Sequence, residues 1–158
     1  MFLKRILKPV FSTPQITETD TRNHAIDILA RTIWGEARGE ALQGKEAVAN
    51  VIMNRLALAQ KRGNFWWGNS IETICKKPFQ FSCWNKDDPN HMKLLSVTAS
   101  DPQFGVCQRI ATRAIQKILP DHTHGADHYH ADYVTPKWAN SKAITTTIGR
   151  HIFYRLEQ

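Results

Sequence analysis

No apolar run in the sequence approaches the ~20 residues needed to cross a bilayer as a helix, which excludes an integral helical membrane protein. Cysteine is scarce. Cys75, Cys83 and Cys107 are odd in number and form no CxxC pair, which argues against a disulfide scaffold or a zinc ribbon. Free, mostly buried thiols are expected instead, in keeping with synthesis in a reducing compartment. A phosphate loop, a GxSxG elbow, a dinucleotide-binding fingerprint and an HExxH pair are all missing. Lys and Arg are scattered without a zinc-finger, RRM or helix-turn-helix signature, so nucleic acid is not an expected partner.

What is present is an ordinary globular composition with a basic bias. The 158 residues suffice for one domain, and with 42% apolar and 22% charged residues the chain can bury enough surface to offset its ordering entropy. The 21 Lys+Arg against 14 Asp+Glu give +7, which favours encounter with a polyanion such as an acidic cell wall or an anionic membrane. The first eleven residues are basic and apolar, but Lys4, Arg5 and Lys8 interrupt them. A secretory signal needs an unbroken apolar region of ~7–15 residues, so none is expected here. A loose start is the simpler expectation, with transient membrane contact of this basic segment as the alternative.

Residues 12–23 are polar and Thr-rich and read as an extended lead-in, which places the domain at 24–158. Helical spacing begins at Ile26, Leu29, Ala30 and Ile33. A stronger helix is predicted from about Gly44 to Gln60, ended by Gly63, and a third from about Gly105 to Leu119. Between them, residues 62–104 are irregular and rich in aromatics, Asn, Asp and Pro, the character of a cleft wall. The period then switches to two over 126–134 and 143–154, which predicts an antiparallel hairpin joined around Pro136–Trp138. The expected class is α+β: mainly helical, with a small antiparallel sheet near the C-terminus.

Glu36 is the first candidate for chemistry. It follows Trp34 and lies between Gly35 and Gly39, where partial desolvation would raise its pKa and suit it to proton donation. A solvated helix-end glutamate is the plainer reading, and Glu40 and Glu46 read as surface charges. His122, His124, His128, His130 and His151 form a second group. His128 and His130 would share one strand face, as metal ligands or as polar cleft lining. The five tryptophans (34, 66, 67, 84 and 138) offer flat faces for sugar rings or simply core.

In chain order, the segments Trp34-Gly-Glu36-Ala-Arg-Gly-Glu40, Gly44-Lys-Glu-Ala-Val48-Ala-Asn-Val51-Ile-Met-Asn54-Arg55, Gln80-Phe-Ser82, Gly125-Ala-Asp-His-Tyr129, Trp138 and Ile148-Gly-Arg-His151-Ile-Phe-Tyr154 resemble the cell wall hydrolase family typified by the spore-cortex-lytic, SleB-like enzymes. The resemblance spans about residues 25–155. It implies a lysozyme-like domain that cleaves the MurNAc–GlcNAc bond of peptidoglycan strands as a lytic transglycosylase with one catalytic glutamate, Glu36, and with no metal or cofactor. Gln80, Ser82, His128 and Tyr129 are then expected to position substrate, with Trp84 and Trp138 stacking on it. Spore enzymes usually carry a signal peptide and a separate wall-binding domain. The compact basic chain looks more like a phage endolysin: a monomer made in the host cytoplasm and released to the wall.

An ordinary glycosidase pairs two carboxylates ~5–5.5 Å or ~6.5–9.5 Å apart. Asp87, Asp88, Asp127 and Asp132 are the candidates for a second, and none stands out. The competing readings are a lysozyme-type muramidase, a zinc amidase built on the histidines, and a non-catalytic wall-binding module.

Overall fold

The computed structural model describes residues 13–157. The basic N-terminal segment with Lys4, Arg5 and Lys8, proposed above to touch a membrane, lies outside them. Helix α1 spans Glu18–Ala37 and begins inside the expected lead-in. Thr17 is the reason. Its hydroxyl accepts the Asp20 N–H while the Asp20 carboxylate accepts the Thr17 N–H, a capping box that starts the helix two exposed turns before any apolar residue. Helix α2, Leu42–Arg62, ends as expected at Gly63, whose φ of 79° only glycine adopts without strain. Short helix α3 (Ile71–Lys76), a 3₁₀ turn at Ser82–Trp84 and short helix α4 (His91–Ser96) make up the irregular middle.

Helix α5, Pro102–Ile115, starts three residues ahead of the expected position. The Asp101 carboxylate takes the Gln103 and Phe104 N–H groups, and Pro102 occupies the first turn. It also stops earlier than expected, with Lys117 in the left-handed region at φ 59°. Ile28, Leu29 and Ile33 of α1 pack with Val48 and Ile52 of α2 and Phe104, Ile110 and Ala114 of α5 into one core. All three cysteines are free and buried, as expected.

The sheet differs from the expected single hairpin. Its strands are β1 (His128–Ala131), β2 (Ile144–Ile148) and β3 (His151–Tyr154), in the order β1-β3-β2, all antiparallel. The stretch 143–154 folds on itself at Gly149–Arg150, with Gly149 at φ 55°, and β1 pairs with the far side of β3. A continuous Ile/Thr-rich run hides such a turn, since a single glycine is its only mark. The class is therefore α+β, mainly helical with a small antiparallel sheet near the C-terminus.

Phe153 of the sheet packs with Ala47 and Val51 of α2 and with Ala126, which ties sheet to helices. Asp127 reinforces the joint. Its carboxylate is fully buried and accepts the Leu156 and Glu157 N–H groups at 2.8 and 3.0 Å, and it lies 2.8 Å from Nδ1 of His128. Burial pushes this carboxyl up, but the bonds from His128 and the two amides outweigh it and hold it below the ordinary carboxylate value. A depressed acid contributes stability that is present above the unfolded Asp value of about 3.9 and is lost as pH falls through the folded value. Asp127→Asn is expected to cost about 1–3 kcal/mol in urea unfolding at neutral pH. It should also flatten the acid side of the stability–pH curve. Unchanged stability would show the joint to be redundant.

Candidate active site

Glu36 occupies the last turn of α1, and its setting depends on the glycine before it. A Cβ on Gly35 would lie 2.6 Å from Cys83 Cβ, so only glycine lets the Ser82–Trp84 turn rest directly on the helix end. That contact brings the Cys83 N–H to Oε1 of Glu36 at 3.4 Å. From the opposite side the Tyr129 hydroxyl donates to Oε2 at 3.0 Å. Three distant segments thus converge on one carboxyl.

Glu36 lines a cleft of about 380 Å³ together with Arg38, Arg55, Gln80, Ser82, Asp88, Tyr129 and His151. Burial pushes its carboxyl above the ordinary glutamate value. The Asp88 charge adds to the rise, and the Cys83 and Tyr129 hydrogen bonds offset it only in part. Burial beside Glu36 also pushes the Tyr129 hydroxyl well up, so it stays a proton-bearing donor. A protonated carboxyl with one face on a polar cleft can deliver a proton to a bound ether or acetal oxygen.

Of the residues singled out from sequence, Glu36, Gln80, Ser82 and Tyr129 come together here. Gln80 Oε1 accepts a bond from Arg55 Nη1 at 3.2 Å. Arg55 had no assigned role in the sequence reading, yet it is buried under the cleft, with Nε donating to the Asp127 carbonyl at 2.7 Å and the guanidinium 4.9 Å from the Trp67 ring centre. Burial lowers its pKa to about 10, which still leaves it charged at neutral pH.

Trp84, His128 and Trp138 are not among the residues lining the cleft. Trp84 donates its indole N–H to Thr32 at 2.9 Å and packs against the helical core. Although His130 also contributes to the lining of the cleft, His128 and His130 do share a strand face, the one opposite Tyr129. There Trp138 covers them, with ring centres 5.1 and 5.7 Å away. The two histidines are engaged separately: His128 with Asp127, and His130 with the Tyr154 hydroxyl and the Ala131 carbonyl. Among the described residues no group of three or more His, Cys, Asp or Glu side chains is placed to hold a metal.

Asp88 is the one carboxylate of the four candidates that lines the cleft with Glu36. Asp132 instead pairs with Arg150 at 3.0 Å, and Asp87 is exposed. Glu40 and Glu46, read as surface charges, are both largely buried. Glu46 pairs with Arg113 at 3.0 Å and with His122 at 2.7 Å, partners contributed by distant segments.

Residues 39–154 match the cell wall hydrolase family model, nearly three quarters of the chain. The chain belongs to the cell wall hydrolase family. The matched span begins three residues after Glu36, so the reading of that residue rests on the geometry above. Similar proteins include the spore cortex-lytic enzymes of Halalkalibacterium halodurans (28% identical, covering 81% of this chain) and Bacillus subtilis (26%, covering 83%). The chain spans only 34% and 37% of their lengths. In structure it is similar to the catalytic domain of the Bacillus cereus SleB protein, with a TM-score of 0.65 and 26% identity over 84% of this chain and 91% of that one. It is equally similar (TM-score 0.65, 25% identity) to the catalytic domain of the germination-specific lytic transglycosylase SleB from Bacillus anthracis, covering 90% of this chain and all of that one.

Removing the Tyr129 hydroxyl takes away a bond that favours the ionised form of Glu36. In Tyr129→Phe the Glu36 carboxyl is therefore expected to titrate at higher pH, followed by carbon NMR of labelled glutamate. A midpoint that stays or falls would contradict the arrangement.

Proposed function

We propose that the protein is a peptidoglycan-degrading glycosidase that cleaves the β-1,4 bond between MurNAc and GlcNAc as a lytic transglycosylase, with Glu36 as its acid. The observation that carries this is the Glu36 carboxyl, pushed up by burial and held between Tyr129 and Cys83 on the wall of a polar cleft. The family membership and the SleB relatives support the substrate class.

Glu36 donates its proton to the glycosidic oxygen as the bond to the anomeric carbon breaks and positive charge grows on the ring. The ionised Glu36 carboxylate then takes the proton of the attacking group: the sugar's own 6-hydroxyl closes a 1,6-anhydro ring, and water gives a reducing end. Gln80 and Ser82 lie on the cleft wall to position the strand, with Gln80 held in place by Arg55. The second outcome is favoured by one observation: Asp88 lines the same cleft and could orient water as a muramidase does. The net charge of +7 suits an anionic wall polymer. On this reading the enzyme acts as a monomer and lyses a cell from within, in the manner of a phage endolysin.

Glu36→Gln keeps the shape of the side chain but cannot donate the proton. It is expected to fold normally and to lose wall-clearing activity by on the order of 10²–10⁴-fold. Activity of the wild type should fall as pH rises through the elevated Glu36 value, because the working form is protonated. Mass spectrometry of fragments from purified peptidoglycan gives the reaction class. Anhydro-muramyl ends made by the wild type and not by the variant are the expected result, and freed stem peptides on an intact glycan would sink the glycosidase reading.

A further inference from the structure

Two aromatic side chains on the rim of the cleft stand in solvent. Phe79 is 88% exposed, more than any other large apolar side chain among the described residues, and Tyr133 is 76% exposed. Both line the cleft that holds Glu36. They belong to the two segments that reach the two oxygens of that carboxyl. Phe79 lies on the stretch that brings the Cys83 N–H to Oε1, and Tyr133 follows β1, which brings the Tyr129 hydroxyl to Oε2. A lone apolar residue on a surface needs no explanation. Two aromatic rings on separate walls of one polar cleft do.

The backbone at Phe79 points the same way. The Gln80 N–H donates to the Lys77 carbonyl at 3.1 Å and closes a four-residue turn with Pro78 and Phe79 at its centre. Phe79 has φ 65°. With proline before it this is the type II arrangement, in which the third residue is normally glycine or asparagine. A bulky side chain in the left-handed region is strained, and a ring left in water gains nothing from burial. Phe79 therefore gives the fold neither an easier turn nor a filled core. What the turn does is set an aromatic ring next to Gln80, which Arg55 holds on the cleft wall.

Tyr133 is braced on its own side. The Arg150 guanidinium lies 5.7 Å from its ring centre, and Nε and Nη2 of Arg150 donate to Oδ1 of Asp132 at 3.2 and 3.0 Å. A ring ordered in advance loses less freedom when a ligand lands on it. Val134, 47% exposed, extends the apolar surface beside Tyr133 along the cleft.

We propose that Phe79 and Tyr133 are sugar-stacking platforms, one on each wall of the cleft, and that each binds one pyranose ring of the glycan strand. The proposal rests on the glycosidase reading of Glu36. A pyranose presents a flat face of C–H groups edged by hydroxyls. The face stacks on an aromatic ring, while Gln80 and Ser82 offer hydrogen bonds to the edge. Phe79 and Tyr133 thus take the part expected of Trp84 and Trp138, neither of which lines the cleft.

The test is calorimetric binding of peptide-free glycan strands, prepared from purified peptidoglycan, to the Glu36→Gln protein and to the same protein carrying Phe79→Asn, Tyr133→Ala or both. Each substitution is expected to weaken binding about 2–10-fold, and the pair to weaken it by about the product of the two. Phe79→Asn should unfold at no lower urea concentration than its parent, because asparagine suits a left-handed turn position. With Glu36 intact, the same substitutions should raise KM on these strands and leave kcat little changed. Binding unchanged in either single variant overturns the proposal. So does weaker binding in Phe79→Asn that comes with lost stability, which would make the ring part of the fold. Unchanged affinity for glycan with weaker adsorption to phosphatidylglycerol vesicles would overturn it in favour of a lipid surface. Failure of the underlying reading is seen separately, as a protein with Glu36 intact that releases no glycan fragments from peptidoglycan.

Discussion

The site depends on the contact between the end of α1 and the Ser82–Trp84 turn across Gly35. Without a side chain at position 35 the turn can lie on the helix, and the Cys83 amide and the cleft wall behind it come into reach of Glu36. The same contact removes water from the carboxyl. Desolvation favours the protonated acid while the two hydrogen bonds favour the ionised one, and desolvation is the larger of the two. The balance leaves an acid that holds its proton yet has a fixed orientation. A carboxyl buried without partners would keep its proton but not its aim.

A second device sets the opposite wall. Arg55 bonds the Asp127 carbonyl below and the Gln80 side chain above, while Trp67 donates its indole N–H to the Arg55 carbonyl. Burying a guanidinium is costly unless its donors are used, and here they join α2, the sheet and the irregular segment. Asp127 then carries the connection to the C-terminal residues 156 and 157. The position of Tyr129 follows from this. It is next but one to Asp127, on a strand whose alternation turns 129 toward α1 and 128 and 130 away.

That alternation explains what was legible in the sequence and what was not. Periodicity revealed α2 and α5 because each turns one apolar face to the core, and Glu36 stood out by its place between Trp34 and the glycines. Gln80, Ser82 and Tyr129 also reached the cleft. His128 did not, because the face on which a strand residue points is set by pairing with β3, and no local pattern gives that register. Trp84 and Trp138 could not be sorted between stacking platform and packing from their type alone. Here Trp84 bonds Thr32 and Trp138 covers the outer face of the sheet. Glu40 and Glu46 were misread for a shared reason. Each is buried by partners more than sixty residues away in sequence, Gly149 and Arg150 for one, Arg113 and His122 for the other. The glycines at 44 and 149 were the only local trace of the first.

Glu36 and Glu40 lie four residues apart, and their surroundings differ. Glu36 faces the cleft, where burial and the Asp88 charge favour its neutral form. Glu40 faces inward to a turn, with a backbone N–H and an imidazole as neighbours. Two like groups four residues apart are thus given different surroundings, one on the cleft and one packed against a turn. The charge of the cleft follows. With Glu36 protonated and His151 neutral, its ionised lining is Arg38 and Arg55 against Asp88, a positive balance with the sign of the whole chain. A field of that sign favours the approach of an anion to the surface and to the groove alike, and a protonated Glu36 contributes no opposing charge to it.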